Sequence, residues 1–257
     1  VHARPNLMDA VRTKMASLYI YVDGAEPPDV AANKLRADGI FLTQQQMSAR
    51  QTLCSHLAQL GKDMDNEAAF IHVLEEVAYT WFNRLVALRY MEVNNYLPSG
   101  IRILSSVEAG RFEPDAMRMA ETLDFVDQKK IAEYRADTNP GADERLYKYI
   151  LIAQCNVLHE ILPNMFQKAN DYTELLLPDA LLSKGGIVFD LVNRIHEDNF
   201  DVEKEGQIEI VGWLYQYYIS EKKDEVFAGL KKNIKINKDT IPAATQLFTP
   251  EWIVKYM

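Results

Sequence analysis

A mainly α-helical domain, an irregular multi-helix bundle, is what this sequence predicts, and three observations carry the expectation. Apolar residues recur at helical spacing over several long stretches. Gly 11 and Pro 10 are too few in 257 residues for a loop-rich β fold. Residues 101–104 (Ile-Arg-Ile-Leu) and 234–236 (Ile-Lys-Ile) are the only β-like runs, and both are short. With 48% apolar and 25% charged residues, the chain is neither disordered, collagen-like nor disulfide-stapled.

The elements follow in order. Leu7, Ala10, Val11, Met15, Leu18 and Tyr19 predict a helix over 6–20, and Asp23-Gly24 with Pro27-Pro28 marks a turn after it. Thr43 is an N-cap for a second helix that runs to Leu60, with Gly61 just past its end. Asp65 or Asn66 caps a third, which continues to about Val93 before Pro98. Phe70, Leu74, Val77, Trp81, Leu85 and Leu88 form one stripe on it, and Ile71, Ala78, Phe82 and Val86 widen that stripe. At 1.5 Å per residue this helix is roughly 40 Å long and is expected to be the central strut. Further helices are predicted near 114–135, 144–161, 187–197, 206–220 and 222–230, with a break at Pro140-Gly141. Residues 163–186, with Pro163, Pro178 and Gly185-Gly186, read as an irregular connection with short helical turns.

Composition limits the chemistry. The net charge of −9 and pI near 5.1 argue against a nucleic-acid clamp, which needs clustered Lys and Arg. No apolar run is long enough for a membrane span, and the start lacks a signal-peptide pattern, so the expected setting is cytoplasmic. Cys54 and Cys155 read as free thiols in separate helices. His2, His56, His72, His159 and His196 form no zinc-ligand spacing, so no metal site is expected. His72 and Glu76 share a helix face, but a polar surface stripe accounts for them better than a metal pair. Nucleophile-elbow, P-loop and dinucleotide-binding glycine motifs do not occur.

Lys222, Lys223, Lys231, Lys232, Lys235 and Lys238 make one basic cluster that could touch nucleic acid or an acidic neighbouring domain, but a solvated helix end and loop accounts for it better. Trp213, Tyr215, Tyr217 and Tyr218 are read as core and domain-interface packing. Glu26-Pro27-Pro28-Asp29 and Asn139-Pro140-Gly141 lack the amide head and aromatic of an adenine-methylating loop, and both are turns.

The sharpest signal is the C-terminal stretch ATQLFTPEWIVKYM, residues 244–257. Thr249 reads as an N-cap with Pro250 at the first helical position, and the amides of such a helix start favour an anionic group. The chain stops at Met257 inside that starting helix, so a segment of a longer protein is expected.

Phe248-Thr249-Pro250 with Ile253, Val254 and Met257 resembles the motif that opens the catalytic domain of N6-adenine DNA methyltransferases of the amino-terminal-motif type. The runs EEVAYTWFNRLVALRYMEVNNYLP (75–98) and GWLYQYYISEKKDEVF (212–227) are similar to the N-terminal region of the PglX family of BREX phage-defence systems. The likeness spans roughly residues 65–257, and residues 1–60 match more loosely. It implies a helical N-terminal domain over 1–240, followed at 241–257 by the start of a class I methyltransferase domain that uses S-adenosyl-L-methionine. Phe248, Thr249 and Pro250 are carried over as cofactor-side residues, and no catalytic residue is, because the glycine-rich cofactor loop and the Asn-Pro-Pro-Tyr/Phe loop are not in the chain. The resemblance further implies DNA as the parent's partner through downstream domains, other BREX proteins as further partners, and little DNA or cofactor binding by this segment alone. Arg84, Arg89 and Glu92 are candidates for a docking surface, with salt bridging and helix-end capping as the competing reading. The alternative to a methyltransferase segment is a stand-alone helical interaction module that docks other defence proteins or a phage protein.

Overall fold

Helix α1 (Ala3–Ser17) buries Leu7, Val11 and Met15 along one face. It stops short of the predicted end, at Ser17, because Tyr19 turns into the left-handed region at φ 57° and the chain enters a small antiparallel hairpin. There β1 (Ile20–Tyr21) pairs with β2 (Gly24–Ala25), Ile20 opposite Ala25. The computed structural model describes residues 3–38, 40–163, 166, 171–204, 209–232, 235–236, 241–245 and 256.

Pro27-Pro28 does more than turn the chain. Pro28 occupies the first position of α2 (Pro28–Ala37), where a missing N–H is tolerated and its fixed φ suits a helix. Helix α3 (Gln44–Leu60) starts on a capping box in which Gln46 N–H donates to Thr43 Oγ1 at 3.2 Å and Thr43 N–H donates to Gln46 Oε1 at 2.9 Å. Its Arg50 is only 1% exposed and ties α3 to both ends of the hairpin, donating to the carbonyls of Leu18 (2.8 Å), Tyr19 (3.2 Å) and Glu26 (2.9 Å). Arg50→Lys keeps the charge but reduces the fork to one rotatable ammonium, so an expected loss of about 2 kcal/mol should appear in urea denaturation.

Helix α4 (Asn66–Val93) is capped by Asp65, whose carboxylate accepts from Ala68 N–H at 2.8 Å. It packs against α1 and α3 and, further along the chain, α9 (Ile187–Arg194) and α10 (Glu209–Lys231). The stripe of Phe70, Val73, Val77, Trp81, Leu85 and Leu88 is buried, and so are Phe82, Val86 and Ala87 on other faces, as expected of a helix that runs through a core rather than along a surface. The predicted central strut is therefore the observed one. Trp81 is fully covered and its indole N–H donates to Thr173 O at 2.8 Å.

Between these lie α5 (Asp115–Arg118), α6 (Gln128–Ala136), α7 (Ala142–Ile161) and α8 (Asp171–Leu175), with short 3-10 turns at Ala120–Thr122 and Glu197–Asn199. The single helix predicted near 114–135 is thus divided. Leu123 adopts an extended backbone, and Asp127 caps a fresh helix by accepting from Lys129 N–H at 2.9 Å. The helices predicted at 206–220 and 222–230 are one, α10, since neither Gly nor Pro interrupts 220–222. The strand-like residues 101–104 form no ladder: Ile103 and Leu104 are buried and donate their N–H groups to a carboxylate instead. Helix α11 (Ile241–Thr245) packs on α10. Ile234 of the other strand-like run lies outside the described residues.

Candidate functional site

Phe248, Thr249 and Pro250 lie outside the described residues, as do residues 251–255 of the helix they would start. What the structure places is the approach to them, α11 on the side of α10. Elsewhere two features have the density of polar groups or the concavity of a site.

The first is a buried polar cluster at the C-terminal end of α4. The Glu92 carboxylate is fully enclosed and accepts four hydrogen bonds: from Arg89 Nη1 (2.8 Å), Ser105 Oγ (2.8 Å), Ile103 N–H (2.9 Å) and Leu104 N–H (2.8 Å). Arg89, over the Phe200 ring at 5.8 Å, continues to Glu197 at 3.1 Å. Arg102 grips both Glu197 oxygens, at 2.7 and 2.8 Å. Every lone-pair direction of Glu92 is used, so the cluster has no open face for a substrate, and its role is to pin residues 101–105 and the turn at Glu197–Asn199 onto α4. Arg84, Arg89 and Glu92 are 3%, 2% and 2% exposed. They belong to the interior, and the docking role considered for them is corrected to a structural one. Sequence spacing finds the Arg89–Glu92 pair at i,i+3, whereas Glu197 joins from over a hundred residues away.

Hydrogen bonds from Arg102 first, then the two guanidinium charges, hold the Glu197 carboxyl below the usual carboxylate range. A depressed folded pKa gives stabilisation that is present above the unfolded value of about 4.3 and lost as pH falls through the folded one. Denaturation midpoints measured down a pH series should therefore fall below about pH 4.3, and Glu197→Gln should flatten the drop. With 38% of the side chain in solvent the change is small, and a steeper drop in the variant would contradict the assignment.

The second feature is a groove of about 660 Å³ between α1, the middle of α4, the loop over 178–186, α9 and Leu214 of α10. Leu7, Phe82, Leu85, Val86 and Leu191 give it an apolar floor, and Arg4, Lys184 and Arg194 stand with Asp179 and Asp190 at its rim. Two of those rim groups are cross-links: Asp179 bridges Lys14 of α1 and Lys148 of α7, and Arg4 meets Glu75, which also receives Lys222 of α10. Burial, with Lys14 beside it, pulls the Lys148 ammonium below its ordinary pKa, while Lys14 and Lys148 outweigh burial at Asp179 and hold its carboxyl low. Volume and apolar lining suit a ligand or an inserted side chain. Sequence reading left this region as an irregular connection, and its one usable signal was Gly185-Gly186.

Among the described residues no group of three or more His, Cys, Asp or Glu stands close enough to hold a metal ion. Glu76 accepts from Tyr172 Oη at 2.8 Å and lies 3.7 Å from His56 Nε2. Cys155 is buried, and that burial pushes its thiol up to about 12, which makes it a poor nucleophile. Cys54 is a free, half-buried thiol. No helix among the described residues is long and apolar enough to cross a membrane. Lys231, Lys232 and Lys235 are exposed, in keeping with a solvated helix end, while the side chains of Trp213, Tyr215, Tyr217 and Tyr218 lie outside the described residues.

No family model matches the chain. Over 268 aligned positions it is 41% identical to the adenine-specific methyltransferase PglX of Lacticaseibacillus casei (strain Zhang), taking in 100% of this chain and 22% of that protein. Over 265 positions it is 36% identical to the adenine-specific methyltransferase BrxX of Escherichia coli O9:H4 (strain HS), 99% of this chain and 20% of that protein. The likeness noted over 65–257 thus extends through residues 1–60, and it does not favour a stand-alone interaction module. The chain is related along its entire length to the PglX and BrxX adenine-specific methyltransferases and corresponds to one segment of them, about a fifth of their length.

Proposed function

We propose that this chain is the N-terminal helical segment of a longer adenine-specific DNA methyltransferase of a BREX-type phage-defence system. Similarity of the whole chain, at 41% identity, to about a fifth of a methyltransferase carries the reading. In it, residues 1–240 are a scaffold, residues 241–257 open the catalytic domain, and the protein works in the cytoplasm on host DNA. The parent methylates the N6 amine of an adenine flipped out of the duplex, which marks host DNA, and other proteins of the system are its partners.

S-adenosyl-L-methionine supplies the methyl group of that reaction. The donor set in this chain fits an edge of such a cofactor and no more. By its sequence Thr249 brings a hydroxyl, and a helix starting at Pro250 would add free amides, but the sequence holds no glycine-rich loop to surround the nucleoside end. The contribution assigned to this segment is therefore mechanical: α10 and α11 deliver Phe248, Thr249 and Pro250 to the catalytic domain, and the α4 core holds α10.

The test is methyl transfer. The full-length parent, given S-adenosyl-L-methionine and duplex DNA, is expected to yield N6-methyladenine by mass spectrometry of the digested DNA. Calorimetry of the 257-residue chain alone should show no cofactor binding and a salt-dependent gel shift no tight DNA complex. A parent that methylates no adenine overturns the reading. Micromolar cofactor binding by the isolated chain overturns the division at residue 240.

A further inference from the structure

The C-terminal half of α10 carries a stripe that the described residues leave partly uncovered. Lys223, Phe227, Leu230 and Lys231 stand at i, i+4, i+7 and i+8, one face of the helix. Phe227 is 43% and Leu230 38% exposed. Ile241, at 49%, lies on α11, which packs on this helix. In the basic cluster Lys222 is paired, with Glu75. Lys223, Lys231, Lys232 and Lys235 have no ion pair among the described residues, in a chain whose net charge is −9.

Part of this has an internal explanation. Lys231 and Lys232 sit where the helix dipole is negative and stabilise the helix end. That argument does not reach Lys223, two turns earlier, nor does it explain two large apolar side chains between the lysines. We propose that this stripe docks an acidic amphipathic segment located elsewhere in the parent polypeptide, its apolar residues covering Phe227 and Leu230 and its carboxylates meeting Lys223 and Lys231. Charge complementarity selects an acidic occupant, and the apolar pair selects protein over duplex DNA, because a phosphate backbone would take the lysines and leave Phe227 and Leu230 wet. The patch is too short for tight binding between separate molecules, but a tether within one chain supplies the effective concentration that makes such a contact persist. The inference rests on the reading that the chain is part of a longer methyltransferase.

Carbodiimide coupling of the full-length parent without DNA tests it, since an amide forms only where a lysine amine touches a carboxylate. Peptide mass spectrometry should find Lys223 or Lys231 joined to an Asp or Glu beyond residue 257, alongside the Lys222–Glu75 link as the internal standard. K223E/K231E should leave the standard in place and reduce the distant links at least tenfold. Absence of distant links while the standard forms overturns the proposal. So do links that join isotopically distinct copies, which would make the occupant a second molecule, or lysine protection that appears only when duplex DNA is added. Methyl transfer is read separately, so a parent that docks this way yet methylates nothing would fail the functional reading and leave the docking contact standing.

Discussion

Replacing Glu92 with leucine is expected to destabilise the helical domain by about 3–5 kcal/mol, because it removes the enclosed carboxylate partner of a buried guanidinium and leaves two buried amides unpaired. The side-chain volume is nearly unchanged, so the loss is one of polar partners rather than packing. Ser105 loses its acceptor, Arg89 loses one of three and keeps Ser105 Oγ and Glu197, and Ile103 and Leu104 keep N–H groups that neither water nor a strand partner reaches. Glu197 already accepts from Arg89 at 3.1 Å and from Arg102 through both oxygens, so it keeps one link to the guanidinium but adds none in place of the Glu92 bond. For a domain of this size the change corresponds to roughly 6–20 °C in Tm. Glu92→Gln, which retains one oxygen and adds an amide facing the same donors, should fall between the native chain and the leucine variant. Urea denaturation followed by far-UV circular dichroism gives the comparison directly. A leucine variant within about 1 kcal/mol of the native chain would mean that the cluster contributes little.

That cluster also marks where sequence reading reached its limit. Helix α4 was legible because its stripe from Phe70 to Leu88 is long and Asp65 stands where a cap belongs, and both signals are local. Thr43 with Gln46 and Gly61 made α3 legible in the same way. The β-like run 101–104 is no strand because the N–H groups of Ile103 and Leu104 go to a carboxylate on α4, a partner that no period of two reveals. Pro27-Pro28 was read as a turn although the second proline opens α2, since Pro at a first helical position and Pro in a turn look alike until the following residues are weighed. Division of the 114–135 helix turned on one side chain, that of Asp127. The Phe248-Thr249-Pro250 motif shows the opposite case. Its sequence is specific enough to suggest a family, yet its contacts lie beyond the described residues, and nothing in the groove or the α4 cluster could have been inferred from it.

Gly186→Ala is the second large effect, expected at about 3 kcal/mol, and its cause is space rather than backbone strain. Gly186 has φ −70°, which any residue adopts. A Cβ there would nevertheless overlap the carbonyl oxygen of Ala180 and approach that of Leu181 to 2.5 Å, and both are backbone atoms that cannot rotate away. Relief requires moving the loop that forms one wall of the groove. That loop is stitched by Gly186 N–H to Ser183 O (2.7 Å) and Phe189 N–H to Leu181 O (3.1 Å), so the start of α9 would move with it. Gly185→Ala is the control. Gly185 has φ +89° but an added Cβ meets nothing within 4 Å, so its penalty is the left-handed backbone alone, about 1–2 kcal/mol. If close approach governs this loop, the alanine at 186 is the more damaging of the two despite its ordinary dihedral, and amide exchange should quicken from 180 to 191 in that variant. Equal losses at the two glycines, or a greater one at 185, would assign the loop's rigidity to backbone conformation and remove the argument that α9 is seated by carbonyl contact.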